Sequence, residues 1–117
     1  MALTVENVGV VRVVTLEGRI VTEAAQDLKR DFDAYAEGDA GPTLLDMGAV
    51  LYVCSYLVGV LVALRSRLSA RGFPVAFAGL DRKHRFVLRV AGLEELFEYH
   101  ATREEGIAAL ANGRPGP

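Results

Sequence analysis

AVLYVCSYLVGVLVAL, Ala49 to Leu64, is the stretch on which the fold turns. Cys54 and Ser55 interrupt an otherwise apolar run, and no charged side chain occurs from Met47 to Leu64. Three readings compete: a membrane span, one buried helix, or a strand that stops at Cys54 so that a helix starts at Ser55. Length argues against the first, because this run as a helix reaches only about 27 Å, whereas a hydrocarbon core is about 30 Å thick and takes ~20 apolar residues. The run also opens on Met47-Gly48-Ala49, weak helix material, so no direct membrane insertion is expected. Beyond Ser55, Leu57, Val60, Leu61, Leu64 and Leu68 recur at helical spacing, and the charges Arg65, Arg67 and Arg71 enter only in the second half. Strand then helix is the reading that fits.

Upstream, TLLDM is a short apolar strand ending at Asp46, and Val50 to Val53 forms a second short apolar piece. Before them, TEAAQDLKRDFDAYAEG places Ala25, Leu28, Phe32 and Tyr35 on one helical face, with Thr22 as the expected N-cap and Gly38 as the stop. The Val- and Thr-rich segments Leu3–Val5 and Val10–Leu16, separated by Asn7 and Gly9, predict a hairpin, and EGRIV ends its pattern. Downstream of Gly72, FPVAFAG reads as a buried strand and DRKHRFVLRVAGL as a helix capped by Asp81 and ended by Gly92, with Leu93 folding back. LFEYH is an edge-like strand, and Thr102 and Glu105 form a T-x-x-E capping signal for a last helix carrying Ile107 and Leu110. The order β-β-α-β-α-β-α-β-α predicts an α/β fold, a mixed, mostly parallel sheet with an N-terminal hairpin and about four helices. One domain over residues 1–111 and a disordered tail over 112–117 are expected.

Thirteen basic and fifteen acidic residues leave a net charge of −2, which gives no reason to expect nucleic acid or an anionic membrane as partner. A single cysteine cannot form an internal disulfide, and the N-terminus lacks a signal-peptide pattern, so a reducing, cytoplasmic setting is expected. C-x-x-C, H-E-x-x-H, a phosphate-binding P-loop and G-x-S-x-G are all missing from the sequence. His84 and His100 lie on different elements without ligand spacing and read as single surface histidines. The expectation is a protein that is not an enzyme, with no cofactor and no metal.

What remains is the junction at Ser55. A serine there reads first as an N-cap, worth about 0.5–2 kcal/mol over alanine. Tyr56, Gly59 and Ala63 point away from the core stripe, flanked by Val58 and Val62, so small and apolar residues surround Ser55 in the manner of an interaction surface. The alternative is that another helix, for instance the first, covers Val58 and Val62. A thiol beside a helix start can turn redox-active, but a free cysteine at a strand end, such as Cys54, is more often a small buried hydrophobe.

At this junction TLLDMGAVLYVCSYLVGVLVALRSRLSARG resembles, without a gap, the STAS domain pattern vvlDlsgVefiDSsGlgvLlalrrrlrarG, matching it at Asp46, Val50, Ser55, Gly59, Leu61, Arg71 and Gly72. The later vLeltGLdelF pattern is similar at Leu88, Gly92, Leu93 and Phe97. The resemblance covers nearly the whole chain and points to the anti-sigma factor antagonists of that family. It implies that Ser55 is the phosphorylation site of an anti-sigma factor that is also a kinase, and that this partner binds at Arg19, Ile20, Val21, Cys54, Ser55, Tyr56 and Gly59. A phosphate would add about −1.5 to −2 charge at the helix start, where free N–H groups accommodate it and an apolar partner does not. The sequence departs from the pattern at Cys54, where the family has Asp, at Tyr56-Leu57, where it has Ser-Gly, and at Gly18-Arg19-Ile20-Val21, where GeLD is common. Those departures resemble scaffold members of the family, so a subunit of a stressosome-like or transporter-associated complex is the alternative. The antagonist reading expects a monomer or small homodimer, the scaffold reading a large particle.

Overall fold

The computed structural model describes residues 4–112. Leu3 and most of the expected disordered tail, residues 113–117, lie outside the described residues. Five strands form one sheet in the order β1-β2-β3-β4-β5. They are β1 (Thr4–Val8), β2 (Val11–Ile20), β3 (Thr43–Val53), β4 (Val75–Ala78) and β5 (Glu98–His100). β1 pairs antiparallel with β2, and every other pairing is parallel. Three helices, α1 (Thr22–Glu37), α2 (Ser55–Ala70) and α3 (Arg82–Val90), join the parallel strands, with a 3-10 turn at Glu94–Leu96 after α3, and a fourth, α4 (Arg103–Ala111), follows β5. The expected mixed sheet, hairpin and four helices are all present.

The helices divide between the two faces of the sheet. Ala25, Leu28 and Phe32 of α1 and the whole predicted α2 stripe, Leu57, Val60, Leu61, Leu64 and Leu68, are buried in one cluster with Val14, Leu16, Leu45, Met47 and Phe77. Each such fully buried side chain contributes about 1.5–3 kcal/mol of transfer free energy. The opposite face is smaller: Val11, Val13, Leu44, Ala76 and Ala78 pack with Leu110 of α4. Arg67 ties the first two helices together, donating to Asp33 at 2.7 Å and Glu37 at 2.6 Å.

Several local expectations need correction. The hairpin turn lies at Gly9, with φ of 61°, and Val10, while Asn7 is a strand residue paired with Arg12. EGRI does not end β2 but continues it, paired with Ala49–Val53 of β3. The two short pieces expected over TLLDM and Val50–Val53 are one strand of 11 residues, bent by register shifts against β2 between Thr15 and Glu17 and between Gly18 and Arg19. At each shift β3 carries one residue more than its partner, which bends a strand without breaking it. Thr22 and Ser55 are first helical residues; the N-caps are Val21 and Cys54, and neither helix start has a side-chain cap bond. The other two capping expectations stand: Asp81 accepts from the His84 N–H at 2.9 Å, and Thr102 from the Glu105 N–H at 3.1 Å. Past α3, Gly92 takes φ of 76° and the Leu93 N–H donates to the Leu88 carbonyl at 2.8 Å, the fold-back expected there. Neither histidine is a free surface residue. His84 Nδ1 lies 3.0 Å from Asp81 Oδ1, and His100 is half-buried with Nε2 lacking a hydrogen-bond partner.

Candidate partner-binding site

β4 pairs with β3 only from Thr43 to Asp46, whereas β2 follows β3 to Val53. Past Gly48, β2 and β3 therefore project as a two-stranded ribbon, and α1 and α2 both start from its end. The Cys54 N–H donates to the Ile20 carbonyl at 3.2 Å, holding the two strand ends together. This pairing sets the starts of α1 and α2 side by side on one rim of the molecule.

The side chains on the rim are small, apolar or aromatic. Ser55, Tyr56 and Gly59 face solvent on α2, as does Val21 at the head of α1. A methyl group at Gly59 would meet nothing within 4 Å. Arg19 is exposed, its guanidinium carbon 4.9 Å from the centre of the Tyr52 ring, a cation–π distance that keeps the charge at the edge of the patch. Two of the seven expected contact residues do not offer their side chains: Ile20 is 0% and Cys54 7% exposed, both in the main core. Alternation on β2 explains the first, since Ile20 points inward beneath the ribbon while Arg19 points out.

The structure adds two residues that the sequence reading missed. Leu51 is 67% exposed and Tyr52, the next residue, is exposed as well, so the end of the ribbon that leads into α2 carries large apolar and aromatic side chains in solvent. Leu51 is the extra residue at the register shift between Val50 and Tyr52, so it has no partner on β2. Val58 and Val62 are partly buried against the core. Val58 also lines a small apolar cavity of about 20 Å³ with Val53, Phe77, Leu80, His84 and Val87, so the α3 side covers it. Among the described residues, no group of three or more His, Cys, Asp or Glu side chains is placed to hold a metal ion, and no helix is long and apolar enough to cross a membrane.

The architecture is an α/β sheet with helices on both faces and an exposed serine, Ser55, in the first turn of the second helix. The STAS domain sequence profile matches residues 2–106, and the chain belongs to that family. Its fold is similar to that of a Thermotoga maritima protein described as a candidate anti-sigma factor antagonist, with 21% identity, a TM-score of 0.83, and 93% of this chain and 94% of the other covered. It is also similar to the anti-sigma factor antagonist SpoIIAA in its unphosphorylated form, at 20% identity and a TM-score of 0.79 over 98% and 100% of the two chains. RsbS of Moorella thermoacetica matches at 19% identity and a TM-score of 0.78, over 94% and 95%. No curated protein sequence matches.

Proposed function

We propose that this chain is a non-enzymatic regulator of the anti-sigma factor antagonist type. It binds an anti-sigma factor or a related histidine-kinase-fold protein through the rim formed by Arg19, Val21, Leu51, Tyr52, Ser55, Tyr56 and Gly59, releases a sigma factor by doing so, and is switched by phosphorylation of Ser55. The observation that carries the reading is the position of Ser55: exposed, in the first turn of α2, next to the exposed Tyr56 and one turn before the exposed Gly59, at a helix start with no side-chain cap. The first N–H groups of a helix need a partner, and the macrodipole places about +0.5 charge there. A phosphate on Ser55 meets both needs within its own chain. A partner packed on Tyr56, Leu51 and Val21 would instead face a buried dianion, and the complex would dissociate.

The test is reconstitution in the cytoplasm of a bacterial host. The chain is co-expressed with a kinase-fold anti-sigma factor encoded in the same genome, and complex formation is followed by affinity capture. With ATP present, Ser55 is expected to gain one phosphate by mass spectrometry, and the complex to fall apart as it does. A stable complex unaffected by ATP would remove the switch and leave the binding module.

Cys54 favours a second reading. A thiol in place of the family's aspartate fits an adaptor subunit, held permanently in a stressosome-like or transporter-associated assembly. Light scattering separates the two, since the antagonist is expected as a monomer or small homodimer and the adaptor as part of a large particle.

A further inference from the structure

The outward face of α3 includes none of the residues of the proposed rim. Its nine residues, RKHRFVLRV, include four cations and no acid, and Leu88 is the one buried residue among them. The other nine basic residues of the chain stand against fifteen acidic ones, so positive charge is concentrated on this helix. At 100° per residue, Phe86 and Val90 form an i, i+4 pair roughly opposite Leu88, with Arg82 and Arg89 on one flank and Lys83 and Val87 on the other. Phe86 is 58% and Val90 71% exposed, and Val87 is exposed beside them.

The cations fall into two groups. Arg85 and Arg89 share Glu94, at 2.8 and 3.2 Å, and Arg85 also lies over the Tyr99 ring at 4.0 Å, so these two are fixed in place. Among the described residues, Arg82 and Lys83 have no ion-pair partner. With Arg85, Phe86 and Arg89 they line a shallow surface hollow.

We propose that this face is a second docking site, independent of Ser55, for an acidic amphipathic protein segment whose apolar side chains pack on Phe86 and Val90 while its carboxylates meet Arg82 and Lys83. Charge complementarity selects this occupant. An anionic bilayer would meet the same cations, but three apolar side chains on a short helix supply less apolar anchoring than one acyl chain, which by itself holds only marginally. The acidic remainder of the chain would also be repelled by such a surface, whereas a short acidic segment need only touch α3.

The probe is a fluorescent synthetic helix with Leu and Phe at i, i+3, i+4 and i+7 and Glu on its flanks, titrated into the full chain and followed by anisotropy. Saturable binding is expected, weakening as salt rises, and at least about fivefold weaker in each of two variants, Phe86→Ser with Val90→Ser, and Arg82→Glu with Lys83→Glu. Gly59→Arg, at the rim, should leave it unchanged, which separates this site from the proposed function. Amide shifts in the unmutated chain should map to residues 82–93, a readout that stands if a variant fails to fold. Absence of saturable binding would overturn the proposal. So would equal binding of a scrambled peptide of the same charge, shifts centred on Ser55, or tighter association with phosphatidylserine vesicles than with the peptide.

Discussion

Replacing Gly59 with arginine should separate stability from binding. A side chain at position 59 enters open solvent, since a methyl there would touch nothing within 4 Å, and the residue is exposed in the second turn of α2. Glycine in a helix interior is about 1 kcal/mol worse than alanine and arginine only slightly worse than alanine, so Gly59→Arg should stabilise the fold by about 0.8 kcal/mol. For a domain of this size that corresponds to a rise in Tm of roughly 3 °C. At the rim the same change puts a cation one turn after Tyr56, and desolvating an unpaired charge there should cost the complex at least about 2.7 kcal/mol, a hundredfold in Kd. Thermal melts by circular dichroism and calorimetric titration with the kinase-fold partner measure the two effects separately. A lower Tm would make Gly59 a packing position, and an unchanged Kd would put the partner elsewhere. Either result refutes the assignment of the rim.

Ser55→Ala should leave stability within about 0.5 kcal/mol, because Ser55 is the first helical residue and no cap bond is lost; Ser55→Asp should gain about 0.3–1 kcal/mol from the helix dipole while weakening partner binding, and chemical denaturation with titration checks both. Gly106→Ala should destabilise by about 1 kcal/mol in a urea titration: the new methyl would lie 2.6 Å from Leu44 Cδ1, and overpacking by a methyl costs more than the helix preference returns. Glu94 is held below its ordinary carboxylate range, first by the hydrogen bond from Arg89 and then by that from Arg85. Its contribution is therefore present above its unfolded pKa and lost as pH falls through the lower folded value, and Glu94→Gln should flatten that part of the acid limb in melts taken below about pH 4.5.

Where apolar spacing alone decided the outcome, the sequence was legible. Leu57, Val60, Leu61, Leu64 and Leu68 are buried as their period requires, and Val75–Ala78 is buried throughout. The side chains of Asp81 and Thr102 cap their helices because each has a compatible backbone and a free N–H three residues on. The errors that bear on the rim share one physical reason. Glu17, Gly18 and Arg19 look like the end of a strand, yet long-range pairing with β3 extends β2 through them, and the register shifts that permit this leave no local pattern. Leu51 is the extra residue at one of these shifts, so its place in the candidate site was hidden by the same feature.

Cys54 sets the character of the proposed switch site through what it does not do. Its backbone is spent, the N–H donating to Ile20 and the carbonyl accepting from the Leu57 N–H at 3.1 Å, and its thiol side is buried in the core. An aspartate at this N-cap, the residue of the family pattern, would turn its carboxylate to the first N–H groups of α2, the same groups that a phosphate on Ser55 needs. The cysteine side chain caps none of them. Cys54→Asp should therefore stabilise the chain by about 1 kcal/mol through the restored cap. It should also remove most of the gain expected from Ser55→Asp, because two carboxylates would compete for one helix start. A double-mutant cycle in urea measures this coupling, and its expected sign is unfavourable, of at least about 0.5 kcal/mol. Additive effects would mean that the two positions serve different N–H groups. A Cys54→Asp variant less stable than the parent would show that the volume of the thiol in the core outweighs the cap, and the free helix start would then be a by-product of packing.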